Sequence, residues 1–179
     1  MYLGVAAHSE EPCESLLLKA RRFLEELWST CGLRVKLVVG GYWGLMKHVV
    51  DYALNLGFAV IILPPLELEY VSFPEKAIVV KTGVSFRARS VFLVRTSDLL
   101  VVLGGGAGCI QEIVTAYTEK KPVYVLVDTG YPTDIVKTWP EYLDNRALAP
   151  IVKSSDPVEL AREVCKYKER AHVKKGVEY

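Results

Sequence analysis

Leu99-Leu100-Val101-Val102-Leu103 runs straight into Gly104-Gly105-Gly106-Ala107-Gly108, and Cys109-Ile110-Gln111-Glu112-Ile113 follows at helical spacing. An unbroken apolar run suits a strand buried on both faces, which means a parallel sheet held between helices. Four glycines in five residues weaken a chain unless its backbone must turn sharply or meet something closely. A helix that starts there points unpaired N–H groups at the loop, and an anion is what such groups suit. Glu112, one turn into that helix, would face whatever the loop holds.

The rest of the chain repeats the alternation of strand and helix. Tyr2–Ala7 reads as a short apolar strand, followed by a helix carrying Leu16, Ala20, Phe23, Leu24, Leu27 and Cys31, with Gly32 as its C-cap. Arg34–Val39 is a second strand, running into Gly40-Gly41 and a helix through Leu45, Val49, Tyr52 and Ala53 that Gly57 stops. Phe58–Leu63 is a third strand, Leu66–Pro74 a loop, and Lys76–Lys81 another strand. A helix through Phe86, Arg89, Leu93 and Arg95 precedes the Leu99–Leu103 strand and the Gly108–Glu119 helix. Val123–Val127 and Ala149–Val152 are the last strands, separated by a turn-rich stretch, Asp128–Asn145. Asp156 caps a final helix, 156–168, with Pro157 at its first position. The predicted fold is α/β: a single doubly wound, Rossmann-like parallel sheet with helices on both faces, one domain over 1–179. Such sheets take ligands outside the carboxyl ends of their strands, where the turns after Ala7, Val39 and Leu103 fall.

Composition excludes several classes. A net charge of +1 offers no broad surface for nucleic acid, and the basic run Lys166–Lys175 reads as a solvated helix end and frayed tail. No apolar stretch is long enough for a membrane span and no basic, apolar leader opens the chain, so the expected setting is cytoplasmic. Cys13, Cys31, Cys109 and Cys165 form no C-x-x-C pair and read mostly as small core residues; His8, His48 and His172 are too dispersed for a metal. No metal or other cofactor is implied. Asn and Gln total three residues, a depletion of heat-labile amides that points to a thermophilic source.

The glycine loop fits neither common phosphate signature. Gly104-x-Gly106-x-x-Cys109 breaks the dinucleotide pattern at its last position, and no Gly-Lys-Ser/Thr is present. What the chain resembles is the LOG (Lonely Guy) family and its wider nucleotide-binding superfamily, which also holds molybdenum-cofactor carriers and DprA-like domains. The resemblance rests on Gly40-Gly41-Tyr42-Trp43-Gly44-Leu45-Met46, and on Arg89 followed by Ser97-Asp98 and the loop Gly104–Glu112. Here Gly104 stands for the motif's proline, Cys109 for its threonine and Ser90 for the lysine that follows the arginine, a pattern closest to the GGGxGT branch.

The resemblance implies hydrolysis of the N-glycosidic bond of a nucleoside 5′-monophosphate, with a non-catalytic carrier of a phosphorylated ligand such as molybdenum cofactor as the alternative. It implies catalytic roles for Glu112 and Arg89. Gly104, Gly105, Gly106, Gly108 and Cys109 would hold phosphate, with Gly40, Gly41 and Gly44 as the opposite wall. Cleavage builds positive charge on the ribose, so a carboxylate at the anomeric carbon would stabilise it or orient water. Ser9 and His8, ending the first strand, are candidates for a polar contact, and Trp43 for stacking or core. Asp98 reads as capping the start of its strand. The partner is then a small nucleotide or phosphorylated ligand, and the resemblance implies a homo-oligomer, at least a dimer, with the Phe86–Leu93 helix as a candidate interface.

Overall fold

The structure, a computed structural model, describes residues 1–173; of Leu33 and residues 168–173 only the backbone is described. Seven strands form one all-parallel sheet: β1 (Tyr2–Ala6), β2 (Lys36–Val39), β3 (Ala59–Ile62), β4 (Ile78–Val79), β5 (Leu99–Val102), β6 (Val123–Leu126) and β7 (Ile151–Ser154). Their spatial order is β4-β3-β2-β1-β5-β6-β7. Parallel neighbours cannot be joined by hairpins and need crossovers. Helices α1 (Glu14–Cys31), α2 (Gly44–Leu56), α3 (Phe86–Thr96) and α4 (Ala107–Thr118) make four of them, segments with only 3-10 turns join β3 to β4 and β6 to β7, and α5 (Pro157–Val173) follows β7. The Rossmann-like α/β fold read from the sequence is the fold of this protein.

Alternation along the strands divides the core in two. Leu3, Val5, Leu37, Val39, Leu99 and Val101 pack under α1, α2 and α5. Ala6, Val38, Leu100 and Val102 pack under α3 and α4. The chain reverses direction of winding between β1 and β5, and the carboxyl ends of β2, β1 and β5 therefore open one cleft.

Several boundaries differ from expectation for local reasons. Residues 32–34 close a 3-10 turn, so β2 starts at Lys36 and not at Arg34. β4 is an edge strand of two residues, because only Ile78 and Val79 find register with Ile61 and Ile62. The 66–74 loop begins with a 3-10 turn, Leu66–Leu68, and the 128–145 stretch contains another, Pro132–Thr138. Asp156 does cap α5, its Oδ1 accepting the Val158 N–H at 2.9 Å. That helix runs on to Val173, and the end of the basic run lies outside the described residues.

The cysteines correct the sequence reading. Cys31 and Cys165 form a disulfide between the end of α1 and α5, with Cα atoms 5.7 Å apart, and Cys13 is exposed. Spacing gave no sign of the bond, because its partners are 134 residues apart and meet only when α5 docks on α1. Closing a loop of that length stabilises the fold by about 5 kcal/mol in the chain-entropy treatment. Cys165→Ser is therefore expected to lower Tm by roughly 10–20 °C in differential scanning calorimetry. An unchanged Tm would mean that α1–α5 packing alone holds the helix.

Candidate functional site

Arg89 is the fourth residue of α3 and Glu112 the sixth of α4, and the two helices lie side by side on one face of the sheet. Arg89 Nη1 donates to Glu112 Oε1 at 3.1 Å, with both residues buried. Ser90 Oγ donates to the same oxygen at 2.8 Å. Both donors fall on Oε1, and Glu112 and Arg89 line one cavity. Burial pushes the Glu112 carboxyl above its ordinary range, while the charge of Arg89 and the two donated hydrogen bonds pull it back. Arg89 Nε is buried without a hydrogen-bond partner, so the guanidinium keeps donor capacity that its ion pair does not use.

The cavity has a volume of about 710 Å³, within the size range of small-molecule sites. Gly106 and Gly108 line it where α4 begins, and the first N–H groups of that helix have no intrahelical acceptor. Open space lies in front of both glycines. Ser9, His8 and Cys109 also line it. The Cys109 side chain turns back under the loop, where the Gly106 amide hydrogen-bonds its sulfur. Burial, and then the charge of Glu112, drive that thiol far up, so it is not a ready thiolate nucleophile.

The other glycines named from the sequence shape the cleft from behind and do not line it. A Cβ on Gly40 would stand 1.8 Å from Arg89 Nη1, so this glycine makes room for the guanidinium. On Gly41 it would meet the Trp43 ring at 2.1 Å. Gly44 has φ +51°, and a Cβ there would lie 2.5 Å from backbone atoms of Ser9 and Glu10. That contact and the Leu45 N–H donated to His8 O at 3.0 Å lock the end of β1 onto the start of α2. Gly104 turns the chain at φ +100°. The Gly105 amide is committed within the chain: it donates to Thr133 Oγ1 at 3.1 Å, and its carbonyl accepts the Thr133 N–H at 3.0 Å. That amide does not point at the cavity as a phosphate donor.

Sequence reasoning missed Ser90 as a partner of Glu112, Thr133 as the anchor of the loop, and Glu67, Phe86 and Arg87 on the outer wall. Only Ser90 left a signal, as the residue after the arginine in the motif. Asp98 stands apart from the site and accepts the Tyr2 N–H at 2.7 Å, joining the starts of β5 and β1. Among the described residues no group of three His, Cys, Asp or Glu could hold a metal, and no helix is long and apolar enough to cross a membrane.

A model of the SLOG cluster4 family matches residues 29–159. The chain belongs to that family. Within the SLOG cluster4 match fall Gly40, Gly41, Gly44, Arg89, the glycine loop and Glu112. An uncharacterized protein of Archaeoglobus fulgidus is 34% identical over 88 residues, which cover 49% of this chain and 56% of that one. The match thus spans little more than half the length of that curated relative. The X-ray structure of a structural-genomics target, TM1055, superposes with a TM-score of 0.77 at 29% identity, over 93% of this SLOG protein and 98% of the target. Molybdenum cofactor carrier protein from Chlamydomonas reinhardtii superposes at 0.72 with 22% identity, over 94% and 98% of the two chains. DNA processing protein A from Helicobacter pylori, a single-stranded DNA binder, does so at 0.63 with 14% identity, over 93% and 81%. At those identities the last two likenesses concern the Rossmann-like fold alone.

Proposed function

We propose that this protein hydrolyses the N-glycosidic bond of a nucleoside 5′-monophosphate. The observation that carries the reading is that Arg89 and Glu112 converge in one cavity with the N-terminus of α4. The amides of Ala107 and Gly108 and the helix dipole would hold the phosphate, with the unused donors of Arg89 turned to phosphate or ribose oxygens. Glu112 would accept a proton from water as the water oxygen bonds to C1′. The C1′–N electron pair leaves with the base, which takes up the proton, and ribose 5-phosphate is the second product. A carboxyl whose pKa is raised by burial holds a proton more readily than an exposed one, which suits it to exchanging that proton.

Because Ser90 donates to the charged form of Glu112, Ser90→Ala raises the carboxyl pKa further. The acid limb of the kcat/KM profile then moves to higher pH, since more acid must be neutralised before the base is free. A limb that stays in place would remove Ser90 from the mechanism. Incubation with a panel of nucleoside 5′-monophosphates, read by mass spectrometry, tests the reaction itself. Equal release of free base and ribose 5-phosphate supports it.

The second reading is a carrier of a larger phosphorylated ligand. Carriers of molybdenum cofactor share the fold, and a cavity of about 710 Å³ lies within the range of small-molecule sites. Ligand-induced thermal stabilisation without base release would favour that reading. A homo-oligomer, at least a dimer, belongs to both, with Phe92 of α3 exposed at 47% while Leu93 is core. A cytoplasmic setting is also part of the proposal, since intracellular disulfides occur in hyperthermophiles.

A further inference from the structure

Between β6 and β7 the chain folds back on itself at residues 129–134. The Asp134 carboxylate accepts the Thr129 N–H at 3.0 Å, the Thr129 hydroxyl at 2.9 Å and the Gly130 N–H at 2.8 Å. Thr129 Oγ1 in turn accepts the Tyr131 N–H at 3.3 Å. These bonds fix the segment in one shape, and two prongs leave it. Thr133, fully buried, reaches the glycine loop, where its Oγ1 accepts from Gly105 and its N–H donates to Gly105 O. Tyr131 reaches the loop after β1. Its Oη accepts the Cys13 N–H at 3.2 Å, and its ring lies against that of His8 with centroids 4.5 Å apart.

The segment itself does not line the cavity, but both loops that it grips do. His8, Ser9 and Glu10 line it on one side, and Gly106, Ala107 and Gly108 on the other. Glycine has more backbone freedom than any other residue, so a loop this rich in it presents its amides in one direction only if something outside holds it. A peptide group is planar, so fixing the N–H and the C=O of Gly105 fixes two successive peptide planes on the way into α4. Donors aligned in advance need no ordering when a ligand arrives. We infer that residues 129–134 are a clasp that sets the spacing and orientation of the two loops, with Thr133 and Tyr131 as positioning residues for a phosphate group at the start of α4. The inference rests on the phosphate-binding reading given above, but it places the determinant outside the cavity.

Calorimetric titration of wild type, Thr133→Val, Thr133→Ser and Tyr131→Phe with ribose 5-phosphate, well below each Tm, is paired with hydrogen exchange of the free proteins. Valine keeps the volume of threonine and the backbone N–H, but removes the acceptor for Gly105. Thr133→Val should weaken ribose 5-phosphate about tenfold or more. It should also speed exchange at Ile110, whose N–H donates to Gly106 O at 3.2 Å. Thr133→Ser returns the hydroxyl and should restore both to within about threefold of wild type. A role in stability alone would lower Tm and leave the affinity of the folded protein where it is, and that result overturns the clasp. Tighter binding overturns it too, because Thr133 would then be withholding the Gly105 amide from the ligand. Should Thr133→Val fail to fold, Tyr131→Phe carries the test, since it gives up the Cys13 bond and keeps the ring on His8. It should weaken binding about threefold or more, and unchanged affinity overturns the clasp. If wild type binds no ribose 5-phosphate, the phosphate reading fails. The clasp is then judged by exchange alone, and wild-type rates at Ile110 in both Thr133→Val and Tyr131→Phe overturn it.

Discussion

Glu112→Gln is expected to lower base release at least 100-fold while the Kd for nucleotide changes by less than about threefold, as loss of a general base does. Glutamine has nearly the same volume, and its carbonyl oxygen can still accept from Ser90 and Arg89 where Glu112 Oε1 does now. What it cannot do is take a proton from water. Parallel loss of binding and turnover would instead make Glu112 a residue that shapes the cavity. The variant also reports on the buried carboxyl through stability. Burial raises the Glu112 pKa in the fold above its ordinary 4.5, so the folded state holds the proton more tightly than the unfolded chain. Its contribution is fully present below the unfolded value and is lost as pH rises through the folded one. Wild type should therefore lose stability relative to Glu112→Gln over that window, a trend that chemical denaturation at several pH values can follow.

The second large effect is expected at a residue that touches no ligand. Gly40→Ala would put a methyl group 1.8 Å from Arg89 Nη1 and 2.4 Å from its Cζ. The guanidinium is buried and held by Glu112, so it can yield only by leaving that partner. Breaking a buried ion pair costs about 3–5 kcal/mol, a drop in Tm of roughly 6–20 °C for a chain of this size. Gly106→Ala is the control, since open space lies in front of that glycine and its Tm should barely move. A double-mutant cycle makes the cause testable: in an Arg89→Ala background the alanine at position 40 should cost far less. An equal cost in both backgrounds would mean that the backbone after β2, and not Arg89, demands the glycine.

How much of this was legible in the sequence depended on how far apart the partners lie. Leu99–Leu103 and the glycines behind it announce strand, turn and helix within a dozen residues, because burial on both faces and helix initiation are local demands. Arg89 and Glu112 were nameable from the motif, but their ion pair depends on how α3 packs beside α4. The Gly105 amide illustrates the limit. A glycine loop before a helix reads as a row of anion donors, yet Thr133, 28 residues on, takes one of them. Likewise Gly40, Gly41 and Gly44 were recognisable as meaningful while their meaning was not. Each answers a neighbour in space: the guanidinium, the indole, and the backbone of Ser9 and Glu10. Cys31 and Cys165 were unreadable as a pair for the same reason.

The cleft at the end of β1 lies between two wings of the sheet, β2-β3-β4 on one side and β5-β6-β7 on the other. A molecule that touches Trp43 and the start of α4 together is a strut across that seam. At a hundred times its Kd such a molecule adds about 2.7 kcal/mol to stability by mass action. Amides on both wings, far from any direct contact, would then exchange their hydrogens more slowly whenever the cleft is filled. A ligand held at one end alone would slow exchange on one wing only, so the exchange map can reveal how a bound molecule lies before its structure is known.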